Sequence, residues 1–194
     1  VTYQYTSTPF IEGLWDNAVA NEMGLTMTGS VTTYISGDIR AMDPYTKDGA
    51  SETWISGYIA ATSANAREAI ENYGKIMETY GSSESNTFMI ADQNEAWYLE
   101  SYSGHQWCAV KMPDDCVAVF GNECMLGTLE AYTEGETLLH SEGLFTAPEE
   151  AGLAVKDDAG NMDLFATYCG ATNLNAGANR RTWFGHVLFA PSTA

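Results

Sequence analysis

Four short apolar segments, separated by turn residues, occupy the middle of the chain between residues 86 and 123. Val, Ile, Tyr, Phe and Trp fill these segments, and such residues are enriched in pleated, half-buried strands. Asp-Gln-Asn-Glu, Ser-Gly and Pro-Asp-Asp clusters interrupt them, as turns do. The pattern predicts an antiparallel meander around which the rest of the chain is organised. Its strands are expected at 87–91, 96–102, 105–111 and 116–121.

Further strands are predicted on both sides of the meander. One segment near the start alternates polar and aromatic side chains and stops at Pro9. A turn at Gly24 joins two more segments, and glycine supplies the positive φ that a tight turn requires. Residues 36–51 contain two Gly and one Pro and are predicted to form a loop. The strands predicted outside the meander are 2–8, 17–21, 25–34 and 185–190.

The clearest helix signal covers residues 66–80. Apolar residues recur there at intervals of three and four, so one face of the helix is apolar. Asn65 and Glu68 have the spacing of a capping box, and Gly81 supplies a C-terminal stop. Gly74 costs about 1 kcal/mol relative to alanine inside a helix, which indicates close packing at that position. Shorter helical segments are predicted at 149–155 and 163–168.

Length and charge limit the class of protein. The 194 residues suit a single domain, and 8 Lys and Arg against 26 Asp and Glu give a formal net charge of −18. Nucleic acids and anionic membrane surfaces need clustered basic residues, so neither is expected as a partner. No apolar segment approaches the roughly 20 residues of a membrane span, and no signal-peptide pattern occurs. The compartment, cytoplasmic or secreted, stays open.

The four cysteines, at positions 108, 116, 124 and 169, form no CxxC pair and have no histidine at ligand spacing. This spacing argues against a zinc site, and nothing else in the sequence requires a metal ion or a cofactor. Cys108 lies in an apolar segment, where a buried thiol is the ordinary state. Buried free thiols are therefore favoured over disulfides, although spacing alone does not determine how cysteines pair.

Two polar positions stand out by residue type. Arg180 and Arg181 lie beside Trp183 in a chain with few arginines, and a planar guanidinium can hold a carboxylate or an oxyanion. Asn122 follows an apolar segment, where its side-chain amide could face a reacting carbonyl group. The simpler alternatives are a surface ion pair for the arginines and a turn residue for Asn122.

Seven short motifs follow one another in order along the chain. They read NEMGL at 21–25, AREA at 66–69, ADQNEAWYLE at 91–100, GHQW at 104–107, PDD at 113–115, VFGN at 119–122 and RRTW at 180–183. This series resembles the bacterial cysteine dipeptidases of the dipeptidase A type, which are N-terminal nucleophile hydrolases. The central motif is specific, whereas the NExG pattern alone is weak. The resemblance extends over nearly the whole chain.

The resemblance implies an α+β fold, the αββα sandwich, in which two antiparallel sheets pack face to face between helices. It implies hydrolysis of the amide bond of dipeptides, where an N-terminal cysteine attacks the carbonyl carbon and its own α-amine acts as the base. Oxyanion donors stabilise the intermediates, and water hydrolyses the acyl-enzyme. A more distant resemblance, to choloylglycine hydrolase-like acylases, implies cleavage of a non-peptide amide.

The resemblance also assigns expected roles to particular residues. Asn122 matches the oxyanion or substrate asparagine of the choloylglycine hydrolase-like enzymes. One of Arg180 and Arg181 matches the arginine that assists the nucleophile. The related enzymes have a further oxyanion asparagine after the NExG hairpin, where this chain has Gly-Ser-Val-Thr at 29–32. Thr32 or a backbone N–H is expected to take that role and to bind substrate.

The family's nucleophile has no counterpart in this sequence, because the first residue is Val1 and none of the four cysteines lies near it. The chain, 1–194, is therefore expected to be the single-domain central segment of a longer dipeptidase and to be inactive by itself. Three functions stay open: a dipeptidase segment, a choloylglycine-type acylase, and a non-catalytic peptide-binding module on the same fold. A dipeptide or small amide is the expected ligand, and assembly into a homo-oligomer is compatible with each.

Overall fold

A computed structural model describes residues 2–10, 15–31, 34–170 and 176–190. The predicted α+β class is confirmed, with one seven-stranded antiparallel sheet whose strand order follows the chain; the second sheet of the expected sandwich is not among these residues. No helix within them is long and apolar enough to cross a membrane. The strands are β1 (Tyr5–Phe10), β2 (Trp15–Asn21), β3 (Thr26–Val31), β4 (Asn86–Ala91), β5 (Ala96–Ser101), β6 (Trp107–Lys111) and β7 (Leu138–His140). The helices are α1 (Gly37–Met42), α2 (Ile55–Thr62), α3 (Ala66–Tyr80), α4 (Thr146–Glu150) and α5 (Ala176–Phe189), with a π-helical turn at Phe165–Cys169.

The central meander is confirmed for three of its strands, β4, β5 and β6, which pair antiparallel. β3 pairs with β4 and so joins the N-terminal hairpin to the meander. Gly24 in the β2–β3 turn has a φ of 86°. The buried Asn21 side chain accepts hydrogen bonds from the backbone N–H groups two and four residues later, both at 3.0 Å. Its Nδ2 donates to the Ala60 carbonyl oxygen at 2.8 Å, which attaches the hairpin to α2.

Helices α2 and α3 cover one face of the sheet and form a continuous apolar core with it. The predicted helix over 66–80 is confirmed, and it begins where Asn65 Oδ1 accepts a hydrogen bond from the Glu68 backbone N–H at 2.9 Å. Gly74 brings α3 against the ring of Trp107, because a Cβ at this position would overlap that ring. The close packing expected at Gly74 is therefore confirmed.

The opposite face of the sheet has two different halves. Over β4–β6 it is buried beneath α1, the π-helical turn and the long connections around β7, which form a second apolar core. Over β1–β3 the same face carries small, exposed side chains, which are Thr6, Thr8, Ala20, Thr26 and Thr28. We call the part of this side over β1–β3, on which Thr26, Thr28 and Ser30 lie, the open face.

Residues 116–121 do not form the predicted fourth strand of the meander. The chain leaves the sheet after β6, and β7 occupies the position beside β6 instead, with Cys108 opposite His140. Phe120 packs its ring on Tyr98, with centroids 4.7 Å apart. Phe120 therefore covers the sheet, whereas residues 116–118 are exposed. An apolar pattern alone does not distinguish a strand from a segment that packs on a sheet.

The predicted strand at 185–190 is also wrong, because these residues lie mostly in α5. Gly185 brings this helix against Val119, since a Cβ at Gly185 would overlap the Val119 side chain. Bulky apolar side chains such as Trp183 and Leu188 are exposed around the helix. The segment has neither strict alternation nor a single apolar stripe, so its sequence does not identify it as strand or helix.

Several smaller predictions are corrected as well. The segment 36–51 is not all loop, because α1 begins there with Ser36 as its N-cap. β1 continues through Pro9, where its register relative to β2 shifts, as is usual for proline in an edge strand. The helical segment expected at 149–155 overlaps α4 only at residues 149 and 150, so most of it is wrong, whereas the one expected at 163–168 overlaps the π-helical turn at 165–168. α2 and β7 have no counterpart among the predicted elements.

Asp43, at the end of α1, ties this helix to the turn between β5 and β6. Its carboxylate accepts hydrogen bonds from the Ser103 hydroxyl at 2.7 Å and from the His105 backbone N–H at 2.6 Å. The other carboxylate oxygen lies 2.8 Å from His105 Nδ1. Burial raises the pKa of Asp43, but these hydrogen bonds outweigh burial and hold the pKa below its ordinary value of 3.8.

We expect Asp43 to contribute to the acid sensitivity of the fold. Because folding lowers the Asp43 pKa, the ionised carboxylate stabilises the folded state above pH 3.8, and this contribution is lost as the pH falls through the lower folded value. Asp43→Asn should therefore flatten the fall in the free energy of unfolding below about pH 5, measured by urea denaturation. The exposed Asp48→Asn serves as the control. Equal slopes for the two variants would contradict this expectation.

Candidate active site

Asn122 and Arg181 are in direct contact above the open face of the sheet. Arg181 Nη2 donates to Asn122 Oδ1 at 2.9 Å, and Asn122 Nδ2 donates to Ser30 Oγ at 2.7 Å. A guanidinium has no acceptor atom, so the atom that faces Arg181 must be the amide oxygen, and the amide nitrogen therefore faces Ser30. Partners on both atoms of the amide determine the orientation of the Asn122 side chain.

Strand β3 presents Ser30 to the site. Side chains alternate along a strand, so Ser30 shares the open face with Thr26 and Thr28. Ser30 lies opposite Thr87 on β4, and Thr87 lies opposite Glu100 on β5. These three side chains form one cross-strand row, in which Glu100 is two strand spacings, about 10 Å, from Ser30.

Glu100 anchors the loop after β6 that carries Asn122. Its carboxylate is fully buried, and Oε1 accepts hydrogen bonds from the backbone N–H groups of Met125 and Leu126, the latter at 3.2 Å. The hydroxyls of Tyr98 and Tyr102 donate to its two oxygens, both at 2.7 Å. Burial raises the pKa of Glu100, and these hydrogen bonds oppose the increase. The carboxylate thus holds the loop three and four residues beyond the asparagine.

Glu123, directly after Asn122, is a second buried carboxylate. Only 7% of the residue is exposed, and its Oε2 has no hydrogen-bond partner in the ranges that the structure describes. Burial raises the pKa of Glu123, and the positive charge of Arg181 opposes the increase. Buried polar atoms are nearly always hydrogen-bonded, so an unsatisfied carboxylate oxygen beside other candidate residues points to contact with a ligand.

The structure distinguishes the two adjacent arginines. Consecutive residues of an α-helix point about 100° apart, so only one of the pair can face Asn122. That residue is Arg181, which donates to Asn122, although both arginines are exposed on α5. The site therefore brings together Asn122 and Arg181 among the residues expected from the sequence. Thr32, the expected substrate-binding residue, lies outside the described residues.

The arrangement suits one kind of chemistry. An amide with a fixed orientation lies beside a positively charged guanidinium, and both can interact with an oxygen atom that gains negative charge. Preorganised donors of this type stabilise an oxyanion without rearranging during the reaction. The geometry is therefore that of a candidate site for attack on a carbonyl group.

Three residues of the site have no counterpart among the sequence-based candidates: Ser30, Glu100 and Glu123. Two of them could have been selected from the sequence, because Glu100 is an acid inside an apolar strand and Glu123 follows Asn122 directly. No feature of the sequence marked Ser30 as a site residue. Its contact with Asn122 joins residues 92 positions apart, and this contact exists only because the loop after β6 returns across the sheet.

The cysteines lie away from this arrangement or are buried. Cys108 and Cys169 are buried free thiols, as expected, and Cys124 is also buried. Burial raises the pKa of the Cys108 thiol, and thiols in such surroundings are unreactive. Cys116 is exposed and lines a cavity beside the β4–β5 turn, whereas Ser30 lies beside the start of β4. Across the described part of the chain, no three His, Cys, Asp or Glu residues are placed to hold a metal ion.

Comparison with known proteins places the chain among peptidases. The profile of Peptidase family C69 matches residues 1–194. A probable dipeptidase B of Streptococcus pyogenes serotype M3 is 34% identical over 153 residues, which are 77% of this chain and 30% of that relative. A probable dipeptidase of Latilactobacillus sakei is 33% identical over 145 residues, which are 73% of this chain and 30% of that relative. This chain thus spans about 30% of the length of these curated relatives. The resemblance to dipeptidases is confirmed, and the chain belongs to Peptidase family C69.

Proposed function

We propose that the complete protein hydrolyses the peptide bond of dipeptides. Family membership and the relatives named probable dipeptidases support this reaction class. The observation that carries the proposal is the Asn122 amide, held between Arg181 and Ser30 in an orientation that suits an oxyanion. The 194 residues would be the central segment of that longer protein, in keeping with the 30% of the relatives that they span.

In the proposed reaction, a cysteine that precedes this segment attacks the carbonyl carbon of the peptide bond, and its own α-amine accepts the thiol proton. The carbonyl oxygen becomes an oxyanion, whose charge Asn122 and Arg181 stabilise. Collapse of this intermediate breaks the C–N bond, and the departing amine takes the proton. Water then hydrolyses the thioester through a second oxyanion at the same position.

The properties of the cysteines within the chain support a nucleophile from elsewhere. Cys108, Cys124 and Cys169 are buried, and buried thiols are poor nucleophiles because the thiolate is disfavoured. Cys116 is exposed but lies beside the β4–β5 turn, at the far end of β4 from the residue that pairs with Ser30. Each of them also lacks the free α-amine that the proposed mechanism uses as a base.

We also propose that the complete protein has the second antiparallel sheet of the sandwich. Small, exposed Thr and Ala side chains make the open face over β1–β3 flat enough to receive another layer. Exposed apolar side chains on α5 add a surface of a kind that folded proteins usually cover, and these are Trp183, Phe184, Leu188 and Phe189.

The test compares the 194-residue chain with a longer protein that begins, after processing, at the upstream cysteine. We expect the longer protein to hydrolyse dipeptides such as Ala-Ala and the shorter chain to hydrolyse none. Conjugated bile acids provide the comparison substrate, and preferential cleavage of these would indicate an acylase. Binding of dipeptides without cleavage would indicate the peptide-binding module. Failure of the longer protein to cleave any dipeptide would overturn the proposal.

A further inference from the structure

The site contains a buried carboxylate for which the described residues supply no complete set of partners. Glu123 is 7% exposed, and its Oε2 has no hydrogen-bond partner among the described residues. Glu100, the other buried carboxylate of the region, accepts four hydrogen bonds from hydroxyl and backbone groups. An ionised carboxylate is costly to bury without partners. A positively charged or hydrogen-bond-donating group of a ligand would supply the partner that Glu123 Oε2 lacks among the described residues.

We propose that Glu123 binds the protonated α-amino group of the substrate and makes the site selective for peptides with a free N-terminus. This inference rests on the proposed dipeptidase function. In a dipeptide, the α-nitrogen lies two covalent bonds, about 2.5 Å, from the carbonyl carbon that is attacked. Asn122 and Glu123 are consecutive residues. The group that stabilises the carbonyl oxygen and the group that holds the amine thus occupy neighbouring positions of one loop.

The charges of the site match those of a dipeptide, which carries an ammonium and a carboxylate group at neutral pH. Glu123 supplies a buried negative charge, and Arg181 supplies a positive charge close enough to oppose the increase in the Glu123 pKa. Arg181 also donates a hydrogen bond to Asn122 Oδ1.

A metal ion fits the same carboxylate less well. A divalent cation such as Ca²⁺ takes about six to eight oxygen ligands, and no cluster of three acidic, His or Cys side chains occurs within the described ranges. An α-ammonium group instead donates three hydrogen bonds at most, and a carboxylate can accept them. The charge of Arg181 does not replace such a ligand, because no described residue donates a hydrogen bond to Oε2.

The test combines one change in the protein with one change in the substrate. In the complete protein, kcat/KM is measured for Ala-Ala and for N-acetyl-Ala-Ala, with and without Glu123→Gln. We expect the unmodified protein to prefer the free amine by about 10²-fold or more, because a buried group built to bind an N–H rejects an analogue that lacks it. Glu123→Gln should lose most of this preference, mainly through KM. The exposed Glu150→Gln should keep it.

The outcomes separate the inference from the function on which it rests. A folded Glu123→Gln protein that keeps the full preference for the free amine overturns the inference, although dipeptide hydrolysis stands. If Glu123→Gln does not fold, Glu123→Asp decides, since a carboxylate that is one methylene shorter should reduce the preference about tenfold. An unchanged preference in that variant also overturns the inference. An unmodified protein that cleaves neither substrate contradicts the dipeptidase function, and the inference falls with it.

Discussion

Asn122→Ala in the complete protein is expected to lower kcat for dipeptide hydrolysis by roughly 10²–10³-fold, with little change in KM. The amide is held by Arg181 at 2.9 Å and by Ser30 at 2.7 Å, so its position costs no rearrangement when charge develops on the carbonyl oxygen. An interaction that is made mainly in the transition state affects kcat more than KM. Steady-state kinetics with Ala-Ala measure both quantities.

Three further variants make the Asn122 prediction specific. Asn122→Asp keeps an acceptor for Arg181 but loses the N–H donor, so its kcat should fall as far as that of Asn122→Ala. Ser30→Ala removes only one of the two contacts that orient the amide, and a fall of about tenfold is expected. The exposed Asn94→Ala should have no effect on kcat. If kcat is unchanged in Asn122→Ala, the residue is no more than part of a turn.

Glu100→Ala is expected to lower the free energy of unfolding by about 3–5 kcal/mol. The substitution leaves four donors without an acceptor, namely the buried hydroxyls of Tyr98 and Tyr102 and the partly buried N–H groups of Met125 and Leu126. Each unsatisfied buried donor costs about 1–3 kcal/mol, and removal of the buried charge offsets part of the sum. Urea denaturation followed by tryptophan fluorescence measures the loss.

Two matched variants separate the buried network from the loss of any glutamate. Glu100→Gln keeps the shape and one acceptor oxygen, so about 1–2 kcal/mol should be lost. Glu78→Ala removes an exposed carboxylate from α3 and should change stability by no more than about 0.5 kcal/mol. A Glu100→Ala protein as stable as Glu78→Ala would show that Glu100 does not hold the loop. In the complete protein, Glu100→Ala should also lower kcat, because the loop that carries Asn122 loses its anchor.

The elements that local sequence predicted correctly are those whose signals lie within one segment. The helix over 66–80 has its cap, its apolar stripe and its stop within 17 residues, and the structure contains it as α3. Strands β4, β5 and β6 are separated by turn residues that specify reversals of the chain. The strand predictions for 116–121 and 185–190 are wrong because Phe120 packs on the sheet and Gly185 contacts Val119 from a helix, and such contacts depend on distant parts of the chain.

The candidate site shows the same division. Residue type alone made Asn122 and the arginine pair candidates, because an amide after an apolar segment and rare adjacent cations are visible in the sequence. The helical turn of α5 determined that Arg181, and not Arg180, contacts Asn122. Ser30 and Glu100 entered the site only through strand pairing and the return of the loop.

By itself, the sequence determined the α+β class, three strands of the meander, the main helix and the resemblance to dipeptidases, because all of these depend on short-range periodicity or on motifs. Only the tertiary structure decided that Asn122 is held between β3 and α5, that Glu100 supports its loop, and that Glu123 is buried beside it. The physical reason is that hydrogen-bond partners and burial depend on groups that are far apart in the sequence. No local pattern of residues shows which distant groups the fold brings into contact.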